Sequence, residues 1–90
     1  MGLAEDLAKL KKARRSVKPA DMHALLSEAG FVRRYGKGDH WVYTHALRTY
    51  PLTIDPRNPL LPVYVSTAIR AIEEVLAAAA DEGGGAKTDD

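Results

Sequence analysis

Ninety residues with a net charge of +1, 46% apolar and 28% charged, suffice for one domain with a modest core and are too few for two. The absence of cysteine excludes a disulfide framework and a thiolate metal site, and it suits a reducing compartment, for which the cytoplasm is the default. The longest apolar run, Val75 to Ala80, is far short of the roughly 20 residues that cross a bilayer, and Glu5 and Asp6 stand where a signal peptide would be basic, so neither insertion nor secretion is expected.

Residues 3–15 (LAEDLAKLKKARR) place Leu3, Leu7 and Leu10 at i, i+4 and i+7, with acids early and bases late. The helix dipole favours that order, and the spacing predicts a helix with a thin apolar stripe. Residues 1–18 hold Lys9, Lys11, Lys12, Arg14, Arg15 and Lys18 against Glu5 and Asp6, whereas residues 81–90 are net acidic. A cationic segment can attract nucleic acid by releasing counterions, although a solvated helix face is the plainer reading. Pro19 suits the first turn of a second helix, Met22, Leu25, Leu26 and Ala29 give it a buried face, and Gly30 closes it.

The period then changes. Phe31 to Tyr35 is short, aromatic and β-branched, Gly36 and Gly38 supply a turn, and His40 to Thr44 is a second strand, so the pair reads as a hairpin. Tyr50 to Ile54 makes a third strand, with Leu52 and Ile54 on one face. Asp55 to Pro62 carries three prolines and is a stiff connector. Val65, Ala68, Ile69, Ile72, Val75 and Leu76 then form the longest helical stripe, which must cover the sheet. Ala77 to Ala80 extend it on propensity, and residues 81–90 read as a disordered acidic tail. The expected architecture is α+β: a basic amphipathic helix in residues 1–17, then a domain over 18–80 with a three-stranded antiparallel sheet. Two helices lie on one sheet face, and the other face stays free for binding.

Gly30-Phe31, the basic strand with Arg33-Arg34, the turn Gly38-Asp39-His40 leading into Trp41-Val42-Tyr43, Leu52-Thr53-Ile54, Pro56 and the helix around Ala68-Ile69 resemble the HicA toxins of bacterial toxin–antitoxin systems. The resemblance covers roughly residues 18–76. It implies a double-stranded-RNA-binding-like αβββα fold, an mRNA-cleaving endoribonuclease, and neutralisation by a HicB-like antitoxin; the helix at residues 3–15 is extra to it. The family's catalytic histidine falls on His40. Two positions depart from the family pattern: Asp39 stands where serine is usual, and Pro56-Arg57-Asn58 has no histidine after the proline.

RNA can be cut without a metal because its 2′-hydroxyl is an internal nucleophile beside the phosphate, so proximity comes with the substrate. Histidine suits the proton steps, since its ordinary pKa of about 6.5 lies near working pH and positioned acid or base assistance is worth about 10² to 10⁴-fold. One imidazole fills one role at a time, so a partner is needed, with Tyr43, Lys37 or water as candidates. Arg33, Arg34 and Lys37 on the hairpin, with Arg57 or Arg48 from the loops, are candidates to meet the phosphate. Alternation sends Arg33 and Arg34 to opposite faces, so one of them at most serves a given surface. Trp41, Tyr43 and Tyr35 can stack bases, but aromatics of a small sheet more often fill the core. His23 and His45 read as structural or solvated. The three histidines lack metal-ligand spacing and Gly36-x-Gly38 lacks the third glycine of a phosphate loop, so neither metal nor cofactor is expected. Two other readings remain open: a non-catalytic RNA-binding module of the same fold, and an interaction protein whose basic first helix docks an acidic partner.

Overall fold

The structure, a computed structural model, describes residues 2–35 and 38–88, without side-chain detail at Tyr35 and beyond Asp81. The order is α1 (Leu3–Lys12), α2 (Pro19–Glu28), β1 (Val32–Tyr35), β2 (Trp41–Thr44), β3 (Leu52–Ile54) and α3 (Pro62–Thr88). Helix α3 runs on to Thr88, through most of the segment 81–90 expected to be a disordered acidic tail, whose side chains from residue 82 onward lie outside the described residues. No helix among the described residues is long and apolar enough to cross a membrane.

Helix α1 stops three residues earlier than its periodicity suggests. The Ala13 amide donates to both Lys9 and Leu10 carbonyls at 3.1 Å, and residues 13–15 turn out of the helix. Helix α2 starts on Pro19, whose missing amide hydrogen costs nothing in a first turn. It ends in a Schellman motif: the Phe31 amide donates to the Leu26 carbonyl and the Gly30 amide to the Ser27 carbonyl, both at 3.0 Å. That motif requires a left-handed residue, and Gly30 supplies it with φ +96°. Leu26 and Phe31, which flank the motif, are both buried.

The sheet is an antiparallel meander in the order β1-β2-β3. Arg33 lies opposite Tyr43, Tyr35 opposite Trp41, Trp41 opposite Ile54 and Tyr43 opposite Leu52. Residues directly opposite share a face, so Arg33, Trp41, Tyr43, Leu52 and Ile54 point to one side and Val32, Arg34, Val42, Thr44 and Thr53 to the other. On the first side Tyr43, Leu52 and Ile54 join Met22, Leu25 and Leu26 of α2 and Val65, Ala68, Ile69 and Ile72 of α3 in one core. The second side is uncovered, with Val32 59% exposed and Arg34 and Thr53 exposed as well.

Helix α1 does not lie on the sheet. It packs on α2 and α3 and buries Leu7 and Leu10 between them. Lys11 Nζ reaches Glu73 Oε2 at 2.6 Å and an Arg14 guanidinium nitrogen donates to Ser66 Oγ at 3.2 Å, both on α3. The Leu60 amide donates to the Val17 carbonyl at 2.8 Å, which ties the proline-rich connector to the α1–α2 link.

Candidate functional site

The β1–β2 turn carries the residue on which the functional reading rests. Gly38 takes φ +73° with open space around it, and Asp39 and His40 are both exposed. His40 makes no hydrogen bond or ion pair to the described residues, and it immediately precedes the paired segment that begins at Trp41. Lys37 lies outside the described residues.

The strand register separates the two hairpin arginines. Arg34 is exposed on the uncovered face, opposite Val42. Arg33 turns to the helix side, half-buried, with its guanidinium 4.7 Å from the centroid of the Trp41 ring. Its positive charge also acts on the Tyr43 phenol. The remaining arginines proposed from the sequence are held by carboxylates. Arg57 Nε pairs with Asp55 Oδ2 at 2.9 Å, two residues away in the connector. Arg48 donates to the Tyr50 carbonyl at 2.8 Å and pairs with Glu74 of α3 at 3.5 Å, which pins the β2–β3 loop to the long helix.

Tyr43, named from the sequence as a stacking platform or proton partner, is fully buried on the helix side. The correction has a plain cause: period-two alternation from Trp41 puts Tyr43 with Leu52 and Arg33 under the helices, so no base can reach its ring in this arrangement. Its hydroxyl is 2.9 Å from His23 Nδ1, and the His23 ring meets Trp41 edge-on at 6.1 Å. Burial pushes the phenol's pKa up, against the opposing pull of the Arg33 charge. Arg33, Trp41, Tyr43 and His23 therefore form one seam joining α2 to the hairpin. His23 sits one residue off the buried stripe of α2, and that position was its only signal in the sequence.

His45 is structural, and its tautomer follows from its neighbours. The Leu47 amide can only donate, so Nδ1 accepts from it at 3.0 Å; the Ala29 carbonyl can only accept, so Nε2 carries the hydrogen, also at 3.0 Å. The ring packs edge-on against Phe31 at 4.9 Å and over Gly30. It thereby fastens the end of α2 to the loop that follows β2. Among the described residues no three histidine or carboxylate side chains gather as a metal site.

No family model, curated protein or solved structure matches the chain.

Proposed function

We propose that this protein is a HicA-like toxin: a metal-independent endoribonuclease acting on mRNA in the cytoplasm, with His40 as general acid or base and a HicB-like protein as its antitoxin. In this reading α2-β1-β2-β3-α3 is a double-stranded-RNA-binding-like αβββα core and α1 is an addition to it. The observation that carries the proposal is the exposed His40 at the head of β2, on a hairpin whose uncovered face also presents Arg34. An imidazole with no partner among the described residues is available to a 2′-hydroxyl or a leaving oxygen, and a guanidinium on the same hairpin suits the charge that develops on the phosphate. Induced expression should arrest growth and His40→Ala should not, with the variant's circular dichroism and melting unchanged. Equal arrest by a folded His40→Ala protein would remove the catalytic role.

A second reading has its own support. The buried Tyr43 is withdrawn as a proton partner for His40, and Arg33, Arg48 and Arg57 are engaged elsewhere in the chain. A non-catalytic RNA-binding module needs none of them at His40. It would bind RNA in a salt-dependent way and leave every strand intact.

A further inference from the structure

Helices α1 and α2 leave a groove of about 360 Å³ between them. Leu10, Val17 and Leu25 form its apolar floor, with Ala13 and Ala24 beside them. Its charges are sorted against the local trend. Residues 1–28 hold four acids and six bases, yet Asp6, Asp21 and Glu28 line this groove and Lys9 is the one base that does. None of those three carboxylates has an ion pair among the described residues, whereas Lys11 is drawn away to Glu73 and Arg14 to Ser66 on α3.

An apolar floor inside an acidic rim repels phosphate and favours a chain that carries aliphatic side chains beside positive ones. We propose that the α1–α2 groove is a docking site for a cationic, leucine-bearing peptide segment of a partner protein. The volume, at the small end of the range for ligand sites, admits side chains from a short segment rather than a folded domain. The groove belongs to the helical layer, so its occupant and a ligand on the uncovered sheet face can bind together. This inference does not depend on the ribonuclease reading.

The test is a nitrogen–proton correlation NMR titration of the full chain with an acetylated, amidated peptide bearing a leucine pair flanked on both sides by lysines. Amide shifts should concentrate at Ala13, Val17, Ala24 and Leu25. Affinity should fall about tenfold or more in Asp21→Lys/Glu28→Lys, since several rim charge pairs change sign together. Ala24→Leu, which fills the groove without altering charge, should weaken binding as well. Control peptides with serine for leucine, or glutamate for lysine, should not bind. Shifts located elsewhere, equal binding of the serine peptide, an unchanged affinity in the charge-reversed protein, or no shifts at all would each overturn the proposal. The spectra themselves report whether each variant is folded.

Discussion

Gly30→Ala tests how the end of α2 is joined to the loop after β2. Two costs can be worked from the geometry. At φ +96° an L-residue meets the steric penalty of left-handed backbone, roughly 1–2 kcal/mol. The new Cβ would also lie 2.9 Å from His45 Nε2, closer than carbon and nitrogen tolerate, so the ring must shift. That ring makes two 3.0 Å hydrogen bonds, to the Ala29 carbonyl and from the Leu47 amide, and losing one in a half-buried setting costs about 1 kcal/mol or somewhat more. The sum is roughly 2–4 kcal/mol, which for a domain of this size lowers Tm by about 10–25 °C. Urea unfolding of the wild type, both single variants and Gly30→Ala/His45→Ala closes a double-mutant cycle. Once the imidazole is gone, the alanine at 30 should cost only its backbone share. A Gly30→Ala cost below about 1 kcal/mol, or one equally large without His45, would refute the reasoning.

Other outcomes follow from the same packing. Leu26→Ala empties a fully buried position that also flanks the Schellman motif, and it should cost about 2–5 kcal/mol by denaturant melting. Lys11→Ala removes a pair whose partners are 43% and 48% exposed, so stability should change by less than about 1 kcal/mol despite the 2.6 Å separation. For Tyr43 the folded pKa is raised, so its neutral form supplies stability that is intact below the ordinary phenol value of about 10 and is lost as pH climbs through the folded value. Between those values the unfolded chain releases the proton first. Tyr43→Phe should therefore lose less stability than wild type over that alkaline window, measured by urea melts at stepped pH; equal losses would contradict the seam as described.

Much of the fold was legible in the sequence because its signals are local. Pro19 and Gly30 bracket α2, the Leu52–Ile54 alternation marks a core-facing strand, and the stripe from Val65 to Val75 marks the covering helix. The strands are shorter than their sequence patterns suggest, for equally local reasons. The Phe31 amide is taken by the Leu26 carbonyl, Pro51 has no amide to give, and among the described residues β2 pairs with β1 from Trp41 onward. The placement of α1 was beyond reach, because a stripe of Leu3, Leu7 and Leu10 does not say which surface it covers. The site divides along the same line. Opposite faces for Arg33 and Arg34 followed from alternation, but the roles of His23 and His45 depend on partners about twenty and sixteen residues distant, which no periodicity reveals.

The central claim concerns one exposed imidazole, and it is tested most directly by incubating purified protein and its His40→Ala variant with mRNA in the presence of EDTA. The account predicts that the wild type cuts the RNA, leaving 2′,3′-cyclic phosphate or the 3′-phosphate formed from it, and that the variant binds the RNA without cutting it. Intact RNA with the wild type, or the same fragments from both proteins, would contradict it.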